Sequence, residues 1–182
     1  MRDYLVGQLG KALHRTGAFG GETAFWFLFN HLAALEEREA EWAAQRKRFP
    51  AGAPDGVAGA MAKVLPGCGL DATASVYGEF ARALGWLKTR RRLSDSEYGD
   101  LRDRAVAWCD EDRSWTEFHQ EFGRPSVTFG PTQFRYGKTF AYVGAESMVA
   151  FHFRGGDPEP VLLAVREGVD RFTFTPEGRR PD

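Results

Sequence analysis

The chain has little cysteine, no long hydrophobic run and almost no imbalance of charge, and each shortage removes a class of protein. Its two cysteines, Cys68 and Cys109, stand far apart in apolar surroundings. A disulfide framework or a zinc site needs more ligands at tighter spacing, so both are expected to be buried free thiols. The apolar stretch TAFWFLFNHLAAL runs directly into EEREAE and is too short to span a bilayer. The opening MRDYLVGQLGKALHR carries charge throughout, unlike a secretory leader. These features point to the cytoplasm and away from a membrane. Net charge is −1, made of 16 basic and 18 acidic residues over 1–122 and 8 basic and 7 acidic over 123–182. That balance supplies no overall drive toward nucleic acid or anionic lipid.

The signatures of common chemistries are absent as well. No GxxxxGKS phosphate loop, HExxH, GxSxG or paired-cysteine motif occurs. GAFGGE near Gly20 precedes a helix but follows no strand, so it is not the fingerprint of a dinucleotide site. No metal and no cofactor are expected.

What is present is aromatic. Fifteen Phe and five Trp in 182 residues need a core or a binding surface to bury them, and the length suffices for one domain with a real core. Abundant Gly, Ala and Arg with few Lys is associated with GC-rich bacterial genomes. Apolar spacing predicts a helix over residues 3–15 and a long one over 22–48, apolar nearly all round in its first turns and therefore central, with His31 partly buried. Residues 50–56 are expected to be a loop, 57–65 a weak helix, and 71–89 a helix with Asp71 as its N-cap. Ser94–Glu97 and Ser114–Glu117 are capping boxes that start two more helices. From Arg124 onward the pattern changes to PSVTF, KTFAYVG, SMVAFHFR, PVLLAVRE and DRFTF, short β-branched and aromatic runs separated by turns. The expected fold class is α+β: an N-terminal helical layer of five to six helices over 1–122, then an antiparallel meander of four to five strands over 123–176, packed together as one domain with 177–182 as a frayed tail. The fourth strand is apolar on both sides, so both its faces should be covered, one by the helices and the other by the first helix, a loop or a second subunit.

The polar residues expected to converge lie on this sheet. His152 and Arg154 alternate onto one face, and in a hairpin with the preceding strand Lys138 would approach Arg154. Arg124 and Arg135 would lie near the same edge. Such a set suits a carboxylate or phosphate, with His152 as the candidate acid or base. His119 is expected to face His152. The run Lys88–Arg92 is a second candidate, for phosphate or nucleic acid.

Three function classes follow. The first is a small bacterial protein-binding domain that docks on another protein without catalysis. Immunity proteins and antitoxins share this size and make-up, and a homo-oligomer through the sheet is a related form. The second is a small-molecule enzyme or anion-binding protein using Lys138, His152 and Arg154. The third is a nucleic-acid-associated module using Lys88–Arg92.

Overall fold

Helix α5, Leu70–Leu84, is the axis of the molecule: twelve of its fifteen residues are buried. The computed structural model describes residues 1–49 and 56–180, so the expected loop at 50–56 lies almost wholly outside the described residues. The elements before α5 are α1 (Arg2–His14), α2 (Glu22–Leu35), α3 (Glu39–Arg46) and α4 (Gly56–Val64). After it come α6 (Asp95–Trp108) and α7 (Trp115–Phe122), then β1 (Val127–Phe129), β2 (Lys138–Val143), β3 (Met148–Arg154), β4 (Val161–Glu167) and β5 (Arg171–Phe174). The five strands form one antiparallel sheet in the order β1-β2-β3-β4-β5. The fold is α+β, with seven α-helices preceding the sheet among the described residues.

The helices divide between the two faces of the sheet. Alternation along β3 places Met148, Ala150 and His152 on one side and Val149, Phe151 and Phe153 on the other. The first side packs against α5 and α1, and the same cluster continues from Ala141, Val143 and Leu163 through Val76 and Phe80 to Phe25 and Phe29 of α2. The second side packs against α6 and α7, where Phe118 meets Phe140, Phe151 and Phe153. The doubly apolar β4 is therefore covered on both faces by helices of its own chain.

Several boundaries depart from the periodicity, each for a local reason. The predicted helix over 22–48 is two helices. Glu37 adopts a left-handed φ of 55°, Arg38 N–H returns to Ala33 O at 2.8 Å, and the Arg38 guanidinium binds Glu36, Glu41 and Leu84 O. The turn lets Trp42 pack on Phe29 and Phe80 at centroid distances of 4.5 and 5.7 Å. Nor is α2 central: Trp26 is 40% and Phe27 61% exposed, and His31, expected to be partly buried, is exposed. Helix α5 stops at Leu84, not near Thr89, because Gly85 takes a left-handed φ of 77° and Trp86 N–H bonds Ala81 O. Its N-cap is Gly69, and Asp71 sits in the first turn. The predicted tail at 177–180 is docked: a 3-10 turn spans Glu177–Arg179, Glu177 pairs with Arg154, and Glu177 N–H donates to Asp112. Thr175, just beyond β5, is fully buried and its hydroxyl donates to Leu162 O at 2.7 Å.

Both capping boxes form as the sequence predicts. Ser94 and Ser114 each accept the N3 amide while Glu97 and Glu117 accept the N-cap amide. Ser94→Ala and Ser114→Ala should each lower stability by about 1 kcal/mol, measured by urea denaturation. A loss below about 0.3 kcal/mol at both sites would show that packing alone fixes these helix starts.

Candidate functional site

The chain's polar side chains gather in three places, and the residues singled out from the sequence divide among them.

The first is a sealed seam between α5 and the sheet. His152 has no exposed surface. Its register partner Thr139 links it to α5: Thr139 Oγ1 lies 2.8 Å from Asp71 Oδ2 and 2.9 Å from His152 Nδ1. On the other ring edge His152 Nε2 lies 3.4 Å from Arg166 Nη1, which also donates to Ser75 Oγ at 2.9 Å. Arginine only donates, so Nε2 is the unprotonated nitrogen and Nδ1–H donates to Thr139. The hydroxyl of Thr139 then donates to Asp71. A directed chain thus runs from a buried cation to a buried carboxylate. Burial and the neighbouring Arg166 push the His152 pKa well below the ordinary histidine range. Burial raises Asp71 to about 7, opposed by the Thr139 hydroxyl, the backbone N–H groups of Asp71 and Ala72, and Lys138. Burial lowers Arg166 to about 10, with Glu79 opposing. Arg166 Nη2 has no hydrogen-bond partner among the described residues. Glu79, also fully buried, accepts from Arg82 and Arg48.

The expected convergence of Lys138, His152 and Arg154 does not occur. Lys138 lies opposite Phe153 in register and projects onto the α7 face, whereas His152 and Arg154 face α5. Lys138 is 1% exposed, donates to Pro131 O and Gln133 O at 3.0 and 2.8 Å, and lies 5.0 Å from the Trp115 ring. It fastens the 130–137 loop from within, and burial lowers its pKa. Arg154 is paired with Glu177 and lies against Gly67. His119 packs edge-on against Trp115 and Phe140, across the sheet from His152.

The second place is a cavity of about 510 Å³ at the N-terminus of α5. Arg135 lines it with Arg15, Tyr136, Cys68 and Asp71. Both thiols are buried, and burial holds Cys68 well above the usual thiol range and lifts Cys109 to about 11. Neither is a resting thiolate nucleophile.

The third is a cationic band along the β1 edge. One cleft of about 530 Å³ is lined by Arg90, Arg91, Arg104 and Arg124 together with Glu97, Asp100, Phe122 and Tyr142. A neighbouring cleft of about 570 Å³ is lined by Lys11, His14, Lys88 and Arg90, with no carboxylate among its lining residues. Arg90 borders both. Its backbone N–H donates to Ser126 O, and His14 Nδ1 lies 3.1 Å from Thr128 O, so the band also covers the edge of β1. Arg91 pairs with Glu97, and Arg104 with Asp100 and Glu121. Lys11, Lys88, Arg90 and Arg124 pair with no carboxylate among the described residues.

Two of the sequence candidates, Arg124 and the Lys88–Arg92 run, therefore meet in one surface. Lys11 and Arg104, which complete it, carry no local signal, because they come from α1 and α6. Among the described residues no group of three or more His, Cys, Asp and Glu is placed to hold a metal ion, and no helix is long and apolar enough to cross a membrane. Comparison with family models, with curated proteins and with solved structures finds no match for this chain.

Proposed function

We propose that this chain is a binding domain that acts without catalysis, docking an acidic segment of another protein along its cationic band. One observation carries this reading. Lys11, Lys88, Arg90 and Arg124 share two adjoining clefts and lack carboxylate partners among the described residues. Uncompensated like charges repel, so such a cluster is stabilised by an anionic partner. Arg binds carboxylates through paired hydrogen bonds, and Arg is among the residues that dominate interface energetics. The alternative enzyme built on His152 has less support, since that ring is sealed from solvent.

An acidic polypeptide suits the band better than nucleic acid does. The most exposed rings, Tyr4 and Phe27 among them, line neither cleft; of the rings that line the first, Tyr142 is buried and half-buried Phe122 lies under Arg104, so bases would find no free stacking platform there. An immunity- or antitoxin-like role is one form of this function, and what supports it is size and composition.

The test is fluorescence anisotropy with a labelled glutamate-rich peptide and a single-stranded oligonucleotide of equal length, at low and high salt. The peptide should bind in preference and in a salt-dependent way. Arg90→Glu with Arg124→Glu should weaken it at least about tenfold, equivalent to about 1.4 kcal/mol. Tighter binding of the oligonucleotide, or unchanged peptide affinity in the double variant, would overturn the assignment.

A further inference from the structure

The cavity at the start of α5 is separate from the cationic band and has a different make-up. Its volume of about 510 Å³ lies within the range of about 300–1,000 Å³ that small-molecule sites occupy. Three segments distant in sequence build it: the α1–α2 turn, the Gly67–Leu70 turn, and the loop between β1 and β2. Ala18, Leu70, Pro131 and the ring of Tyr136 supply an apolar lining. The backbone comes close because glycines form the walls. A Cβ on Gly137 would meet Asp71 Oδ1 at 2.9 Å, and one on Gly130 would meet Asp71 Cβ at 2.9 Å.

The cavity's polar groups are few and mostly cationic. Arg15 and Arg135 line it, are exposed, and pair with no carboxylate among the described residues. The Arg135 guanidinium carbon lies over the Tyr136 ring, 4.7 Å from its centroid, a contact that holds a guanidinium without consuming its donors. The N-terminus of the fifteen-residue α5 opens here with Gly69 as a cap that offers no side chain, and helix N-termini favour negative charge. Asp71, 3% exposed, is the one carboxylate that lines the cavity among the described residues.

We propose that this cavity is a binding site for a small organic carboxylate, its apolar body against Leu70, Pro131 and Tyr136 and its carboxylate held by Arg15 and Arg135. Inorganic phosphate would leave the apolar lining uncovered, and a neutral ligand would leave both guanidinium groups unanswered. The site carries its own pH dependence. The groups around Asp71 are Cys68 from the preceding turn, Lys138 and Thr139 from β2, His152 from β3 through Thr139, and the two arginines of the cavity. Of these, Asp71 titrates near neutral pH. Its ionised form repels a bound anion, and its protonated form does not. Affinity for the carboxylate therefore rises as pH falls through about 7.

Benzoate is the probe, with hexanoate as a second carboxylate, benzamide as the neutral counterpart and inorganic phosphate as the ion without an apolar body. Ligand-observed NMR and calorimetry on the full chain provide the readout. Benzoate should bind, more tightly at about pH 6 than at about pH 8. Benzamide and phosphate should bind at least about tenfold more weakly. Arg135→Gln and Arg15→Gln should each weaken benzoate several-fold. Asp71→Asn should keep benzoate binding and abolish its pH dependence. The variant carrying Arg90→Glu and Arg124→Glu should bind benzoate as the parent does, which separates this site from the cationic band. The proposal is overturned if neither carboxylate binds, if benzamide or phosphate binds as well as benzoate, or if the band variant loses benzoate.

Discussion

Replacing Phe118 by alanine should lower the unfolding free energy by about 3–5 kcal/mol, the usual cost of emptying a buried aromatic site. Phe118 has no exposed surface. Its ring centre lies 5.3 Å from Phe140, 4.9 Å from Phe151, 5.2 Å from Phe153 and 5.8 Å from Phe122. Those neighbours project from two strands and from α7 itself, so no single side chain can shift to fill the space. α7 is only eight residues long, too short to be stable by propensity, and Phe118 is its one fully buried residue. The cavity therefore removes much of what holds α7 on the sheet. Phe122→Ala, at a half-buried position, should cost clearly less. Urea denaturation of both variants, with the slope checked for constancy, decides the matter. A Phe118→Ala loss under about 1.5 kcal/mol would mean that α7 contributes little to covering this face.

That second face shows what the sequence made legible and what it did not. Alternation in SMVAFHFR and the doubly apolar VLLAV established that both faces of the sheet are buried. The two capping boxes located α6 and α7 to the residue. Nothing local said that these two helices, and not a second copy of the chain, form the cover, because that is a matter of where the chain returns after Arg90. The same limit explains α5. Its Gly78 interrupts the apolar pattern, yet it is the point where the Phe129 ring comes so close that a Cβ would meet Cζ at 2.6 Å. A residue that weakens a helix by propensity is here what allows the helix to sit on the sheet. α2, by contrast, has the strongest apolar pattern and leaves Phe27 largely exposed.

Site residues were legible by type and not by grouping. Arg124 and Arg135 were both recognised as anion-binding candidates, and both line clefts with other cations. They belong to different clefts, since a turn at Gly123 sends Arg124 toward α6 while the loop between β1 and β2 carries Arg135 toward α1. Lys138 and Arg154 were separated by the pleat. Lys138 stands opposite Phe153 on the α7 face, and Arg154, one residue further along β3, falls on the other side. Asp71 was read for its helix-capping role, and its side chain does accept the first-turn amides. Its second partnership, with Thr139, joins positions 68 residues apart and has no sequence pattern. Arg166 was detectable in principle: a charged residue ending an otherwise apolar inner strand must be paired or must shift its pKa.

Asp71 should make the protein less stable as pH rises from about 4 to about 8, by an amount on the order of 4 kcal/mol that Asp71→Asn removes. The folded carboxyl is raised to about 7, against about 3.9 in the unfolded chain. Between those values the native state holds a proton that the unfolded state has released. The resulting stabilisation is fully present below about pH 4 and is lost as pH rises through about 7, at about 1.4 kcal/mol per unit. His152 acts in the opposite sense, since its pKa is depressed in the fold. Its contribution is present above about pH 6.5 and is lost as pH falls through the folded value. The difference between parent and Asp71→Asn at each pH isolates the first effect from the second. The directed hydrogen-bond chain supplies an independent readout. With Asp71 ionised, Thr139 donates to it and His152 carries its proton on Nδ1. With Asp71 protonated, the acid donates to Thr139, while Arg166 Nη1, which only donates, still requires Nε2 to accept at 3.4 Å. Nitrogen-15 NMR of the His152 ring should therefore show the Nδ1–H tautomer on both sides of about pH 7, with the Nδ1 resonance shifting as Asp71 titrates. An Nδ1 resonance that does not shift, together with parallel stability curves for parent and Asp71→Asn, would place the titration of Asp71 outside this range and would remove the pH dependence expected of the α5 cavity.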